Sequence, residues 1–151
     1  MRILHLSDTH NLHRELKNLP KADLIIHSGD ISFSGEGKEA MDFIDWFTHL
    51  DYKYKIFIAG NHDFCLEEKD REIIQEFLPK NCYYLDKSGV RIEDIQFWGL
   101  PFFFSDDVSG MYDKSIEDIP SNTDILITHR PPFQILDRAG EINYGCSNLF
   151  K

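Results

Sequence analysis

Four short apolar runs, each stopping on aspartate, asparagine or histidine, constrain this chain more than any other feature. The runs are residues 2–7, 23–28, 54–59 and 124–128, rich in isoleucine and leucine and bounded by turn signals, the pattern of buried strands. Asp8, Thr9 and His10 follow the first run, and Gly29 and Asp30 the second. Gly60, Asn61, His62 and Asp63 follow the third, and His129, Arg130, Pro131 and Pro132 the fourth. Between the runs, Ala40, Phe43, Ile44, Phe47 and Leu50 form one helical stripe, and Ile73, Ile74, Phe77 and Leu78 a second that stops at Pro79. A weaker helical piece is expected over 12–19. Strands alternating with helices predict an α/β domain with a parallel component. Residues 83–85, 90–92 and 95–98 are short and close together, so an antiparallel meander is expected to join it, giving a mixed-sheet α/β fold.

The length of 151 residues suits one domain, and 42% hydrophobic with 28% charged residues excludes a disordered or fibrous chain. A formal charge of −10 argues against duplex nucleic acid or an anionic membrane as partner. It leaves room for phosphate-bearing ligands, because bound divalent cations reverse the local sign. No apolar run approaches the roughly 20 residues of a membrane span. Three cysteines without a C-x-x-C pair fit a reducing compartment, and Met1 leads straight into a strand-like run, so a cytoplasmic location is expected.

In open α/β sheets ligands bind beyond the carboxyl ends of the strands. There Asp8, His10, Asp30, Asn61 and His129 offer oxygen and imidazole nitrogen with no thiolate, a set suited to Mn, Fe, Zn or Ni rather than a cysteine-rich structural zinc. Asp30 follows a glycine, so another backbone or a metal can approach closely, and its two carboxylate oxygens can bridge two metals. Two cations roughly 3.5–4 Å apart can clamp the attacking and leaving oxygens of an in-line phosphoryl displacement. Asn61 and His62 are neighbours on an extended turn and point different ways. Asn61 is expected to ligate, and His62 to face substrate, where it can bond a phosphoryl oxygen or protonate the leaving alkoxide. Asp63 is expected to orient the His62 imidazole. A lone G-N-H-D also suits a hairpin turn with left-handed asparagine; its three companion motifs favour the site.

The series D-x-H (Asp8, His10), G-D (Gly29, Asp30), G-N-H-D (60–63) and H (His129) resembles the calcineurin-like metallophosphoesterase superfamily. Residues 28–35, 128–132 and the pair Gly145, Cys146 are similar to its small metallophosphoesterase-domain branch. The match runs from Met1 almost to Lys151 in the family's order, as one domain over 1–151. The resemblance implies an αββα sandwich of two mixed β-sheets flanked by helices, with a dinuclear metal centre at the strand ends. It implies Asp8 and His10 on the first metal, Asp30 bridging, Asn61 and His129 on the second, and His62 on the scissile phosphate. Mn or Fe would be the usual metals, with Zn and Ni compatible. The implied activity is phosphoester hydrolysis, read here as a phosphodiesterase using a metal-bridging hydroxide on a small phosphate ester or nucleotide.

One motif of that family, the closing G-H-x-H, is absent, and the last histidine is His129. The domain is therefore expected to be shortened at its carboxyl end, as a fragment, as a naturally short protein, or with a partner chain completing the site. A homodimer covering the bared edge, with His13 as a donated ligand, is one expectation. The alternative function is a catalytically impaired pseudoenzyme or a phosphate- or nucleotide-binding module.

The remaining chemistry-bearing residues have plainer expectations. Arg130 neutralises substrate phosphate or forms a surface ion pair. His5 and His27 are hydrogen-bonded histidines of the core or behind the site, His13 lies at the surface or behind the site at a helix start, and His49 at an exposed helix end. Phe102, Phe103 and Phe104 are core packing or a hydrophobic lip beside a site. Asp106 and Asp107 belong to a solvated loop. Residues 35–40 match G-x-G-x-x-A, but no strand immediately precedes them, so a turn and helix start is expected there rather than a nucleotide fingerprint. Cys65, Cys82 and Cys146 are packing residues.

Overall fold

A computed structural model describes residues 1–67 and 69–150. Lys151, the last residue of the expected domain, lies outside them. Strands β1 (Ile3–Leu6), β2 (Leu24–His27), β3 (Tyr54–Phe57) and β4 (Cys82–Tyr84) pair in that order, all parallel. Parallel neighbours need a crossover. Helix α1 (Gly37–His49) joins β2 to β3, and α2 (Phe64–Glu67) with α3 (Arg71–Glu76) joins β3 to β4. Asp70 caps α3 by accepting the Glu72 amide at 3.2 Å.

A second sheet holds β5 (Ser88–Ile92), β6 (Ile95–Leu100) and β7 (Ile125–Thr128). β5 runs antiparallel to β6, and β7 parallel to it after a crossover through α4 (Phe104–Ser109) and α5 (Met111–Glu117). A short hairpin of β8 (Arg138–Ala139) and β9 (Ile142–Asn143) follows. Among the described residues β1 and β7 have no strand on their outer sides, and no helix is long and apolar enough to cross a membrane.

Side chains alternate across the parallel sheet and feed two cores. Ile25, Phe57 and Tyr84 face the helices and cluster with Phe43, Phe47 and Ile74. Leu24, Ile26, Ile56 and Ile58 face the other way and meet Leu85, Ile92, Phe97 and Ile127 of the second layer. Leu100, at the end of β6, packs with Phe102, Tyr112 of α5 and Cys146. Burying each large apolar side chain contributes roughly 1.5–3 kcal/mol, so the layers hold each other in place. The order is helices, parallel sheet, mixed sheet, helix: the expected αββα sandwich, with the mixed pairing in the second sheet.

Three local readings change. Residues 83–85 do not open the meander, because β4 pairs in parallel with β3 and α3 supplies the crossover. Over 12–19 there is only a 3-10 turn at His13–Glu15, with Asn11 and Asn18 at φ of 64° and 58° on either side. His13 is fully buried, its Nε2 2.9 Å from Asp42 Oδ2 and its ring against Phe43 and Trp46.

Candidate metal centre

The loops after β1, β2, β3 and β7 meet at one edge of the sandwich. The first two are laced together by backbone bonds. The amides of Asp8, His10 and Asn11 donate to the carbonyls of Gly29, Asp30 and Ile31 at 3.0, 3.0 and 2.9 Å. The lacing holds Asp8, His10 and Asp30 at φ of 54°, 42° and 56°. Each such left-handed residue costs on the order of 1–3 kcal/mol, which concentrates strain at this edge.

Two glycines let the loops close on one another. At Gly29 (φ +103°) a Cβ would lie 2.7 Å from His129 Nδ1 and 2.8 Å from the Gly60 nitrogen. At Gly60 a Cβ would collide with the Asp30 carboxylate and lie 2.8 Å from His129 Cε1.

Asp63 fastens the third loop to the second. It is fully buried, and Oδ1 accepts the Ser32 amide at 2.9 Å and the Ser32 hydroxyl at 2.7 Å. Oδ2 accepts the Gly60 amide at 2.8 Å and the Ile31 amide at 3.3 Å. Burial pushes its carboxyl pKa up, and these bonds only partly offset that. The His62 imidazole takes its Nδ1 bond elsewhere, donating to the Phe33 carbonyl at 2.8 Å. Glu39, in the first turn of α1, reaches back to the same segment and accepts from the Phe33 and Ser34 amides at 3.2 and 2.9 Å. Ser32 and Glu39 were missed from sequence. A glutamate in a first helical turn, just after a loop of backbone donors, was the signal for the second.

Asp30 lies at the centre, 4% exposed. Its Oδ1 is 3.4 Å from His129 Nε2 and its Oδ2 is 3.6 Å from His10 Nε2. Oδ1 also accepts the His62 amide at 2.9 Å. Asp8 Oδ1 is 4.0 Å from His10 Nε2, and Asn61 Oδ1 is 3.1 Å from His129 Nε2. Two groups of ligand atoms result, each within 4.8 Å: His10, Asp30 and His62 in one, and Asp8, Asp30 and His129 in the other. Asp30 belongs to both. Asp8, His10, Asp30, Asn61, His62 and His129 thus come together, whereas Asp63 stands beneath them.

Three imidazoles share a tautomer. His10, His62 and His129 each turn Nδ1 to a backbone carbonyl, of Ser32, Phe33 and Ser28, at 3.2, 2.8 and 2.9 Å. A carbonyl only accepts, so each Nδ1 carries the proton and each neutral ring keeps its lone pair on Nε2, as metal-binding histidines do. His129 Nε2 then faces two acceptor oxygens, which a proton or a cation must reconcile. Burial raises the Asp30 carboxyl, but the His129 bond and the His62 amide outweigh it and hold it below its ordinary value. Burial lowers the His129 imidazolium, but Asp30 outweighs that and raises it. Carboxylates, an amide oxygen and imidazole lone pairs around one shared aspartate fit a pair of divalent cations.

Arg130 lies to one side. Its Nη1 donates to Asp107 Oδ1 at 2.6 Å and its guanidinium stacks 5.3 Å from the Phe102 ring centre. Asp107 sits on α4 and pairs with Arg130, and Asp106 sits 2.7 Å from Lys87 Nζ, so neither is a free loop residue.

A layered α/β sandwich with a carboxylate–imidazole cluster at its strand ends has the donor set of a metal site. The family model for calcineurin-like phosphoesterases matches residues 1–151, and the chain belongs to that family. It is 28% identical to a UPF0046 protein of Caenorhabditis elegans over 100% of this chain and 58% of that protein. It is 30% identical to metallophosphoesterase domain-containing protein 1 of Homo sapiens over 90% of this chain and 50% of that protein. Those similarities agree with the small metallophosphoesterase-domain branch. The chain thus spans between half and three-fifths of these relatives.

Proposed function

We propose that this chain is a metal-dependent phosphoesterase, and within that class a phosphodiesterase acting on a small phosphate ester or nucleotide. The observation that supports it most is the split carboxylate of Asp30, one oxygen toward His129 and the other toward His10. In this reading Asp8 and His10, 4.0 Å apart, would hold one cation, Asn61 and His129 a second, and Asp30 both, with Asp8 also in reach of His129 and His62 in reach of His10. The oxygen and nitrogen donors suit Mn or Fe, with Zn and Ni compatible. Such a pair supplies Lewis acidity toward phosphoryl oxygens and makes water a nucleophile at neutral pH.

The chain's own residues do the rest. Asp30 and the loops laced around it fix the separation of the two half-sites. His62, half-buried beside His10 with ring centres 4.8 Å apart, keeps Nδ1–H on the Phe33 carbonyl, so that as the imidazolium it would give its Nε2 proton to the departing alkoxide and return to the neutral ring. Asp63 and Glu39 hold the backbone that carries His62 and the Phe33 carbonyl. The three unpaired cysteines suit a cytoplasmic setting. The open edges of β1 and β7 are where a homodimer would form.

Metal content separates these roles. Asp30→Ala should lose both bound Mn and turnover, whereas His62→Ala should lose turnover and keep most of its Mn. Equal loss of Mn in the two variants would overturn the division, and Mn bound without turnover in the unaltered chain would favour a binding module.

A further inference from the structure

Beside the Asp30 cluster lies a cavity of about 340 Å³ that shares Asn61 and His129 as walls with the candidate metal centre. Its other walls include Phe102, Phe104, Arg130 and Tyr144. A volume of this size is at the small end of ligand sites, which run roughly 300–1,000 Å³. Phe104 and Tyr144 are 55% and 58% exposed, so their rings are accessible to a ligand entering from solvent. Phe102 is fixed behind them, its ring edge-on to Phe104 at 5.6 Å and to Tyr112 at 5.3 Å.

Arg130 belongs to this wall. Its charge is met by Asp107, and its Nε lies 3.5 Å from the Tyr144 carbonyl. Its guanidinium is 5.3 Å from the Phe102 ring centre and 5.9 Å from that of Tyr112. Paired and stacked in this way, the guanidinium offers a flat face rather than a free positive charge. A cavity with aromatic and guanidinium faces, opening beside a candidate phosphoryl site, matches one kind of ligand portion: a flat ring carried on phosphorus or on its ester oxygen.

We propose that this cavity selects phosphate esters bearing a planar aryl or heteroaryl substituent, with Phe104 and Tyr144 as the specificity-determining residues. The inference rests on the phosphoesterase reading above, because the phosphoryl group must sit at the Asp30 cluster for the ring to reach the cavity.

The test is equilibrium binding to the Mn-loaded chain, measured by calorimetry with phenylphosphonate and methylphosphonate. The two share a head group and neither is hydrolysed. Phenylphosphonate should bind roughly tenfold more tightly, the range of one stacked ring. Phe104→Ala and Tyr144→Ala should each reduce that ratio, and the double variant should abolish it, with circular dichroism unchanged because both side chains are exposed. Equal affinities in the unaltered chain, or a ratio indifferent to both substitutions, would overturn the cavity assignment and leave the phosphoesterase reading intact. Failure of both phosphonates to bind would overturn the two together.

Discussion

Asp30 and His129 lie 99 residues apart in sequence, and their side chains stand 3.4 Å apart across the ends of two strands in different sheets. The Nδ1 of the same histidine donates to the Ser28 carbonyl at 2.9 Å, two residues before that aspartate. One imidazole therefore ties the parallel sheet to the mixed sheet at the site itself. The geometry of the candidate site and the packing of the sandwich are therefore joined through this pair.

The first consequence concerns Asp63, which carries no expected ligand role yet accepts four bonds from the loops that do. Asparagine at this position keeps the shape but aims an amide donor at two existing donors. Asp63→Asn should destabilise the fold by on the order of 3 kcal/mol, since hydrogen bonds to a buried charge contribute about 1.5–3 kcal/mol each. Urea denaturation checks this. A loss under about 1 kcal/mol would mean that the loops are held by other contacts.

Gly60 gives a second consequence. Alanine there would press into the Asp30 carboxylate and the His129 ring, so Gly60→Ala should lower Mn affinity at least tenfold, a loss of about 1.4 kcal/mol. Gly37→Ala, at the start of α1 with nothing within 4 Å of a Cβ, should leave affinity unchanged. Metal titration of both variants measures the difference. Equal affinities would mean that the backbone yields without moving the ligands.

A third consequence is a pH dependence of stability from His27. Burial pushes its imidazolium down to about 3, with repulsion from neighbouring histidines adding to it. Its Nε2 sits 3.0 Å from Thr9 Oγ1, and its ring lies against Phe43. In the unfolded chain it titrates near about 6.5. Above that pH the folded chain has the full benefit. As pH falls from about 6.5 toward 3 the unfolded state takes up a proton that the folded state refuses, and stability is lost. His13, also lowered by burial, acts in the same direction. His27→Leu should therefore lose less thermal stability than the unaltered chain between pH 7 and pH 4.5. Parallel melting profiles would contradict this.

Much of the fold was legible because the four apolar runs are self-contained: each becomes a strand, and each ends where a polar loop begins. The meander was misread at 83–85 because a three-residue strand buried on both faces has no period to detect. Cys82 and Tyr84 enter the helix-side core while Leu85 enters the other. The helical expectation over 12–19 failed because left-handed asparagines interrupt it and His13 turns inward to Asp42. At the site, the ligand types and their positions could be read from motifs. The shared tautomer of three histidines could not, since it depends on carbonyls of Ser28, Ser32 and Phe33 that only the fold brings near. Arg130 was legible as a charge but not as a paired, stacked wall, because Asp107 and Phe102 reach it through tertiary packing.

The central claim is that Asp30 organises a working phosphoesterase centre. Hydrolysis of bis-p-nitrophenyl phosphate, with and without added Mn, should be measured in the unaltered chain and in Asp30→Ala. Turnover that requires Mn and falls at least about a hundredfold in the variant, a loss near 2.7 kcal/mol of transition-state stabilisation, is the predicted result. Turnover that is indifferent to Mn, or no greater in the unaltered chain than in the variant, would contradict it.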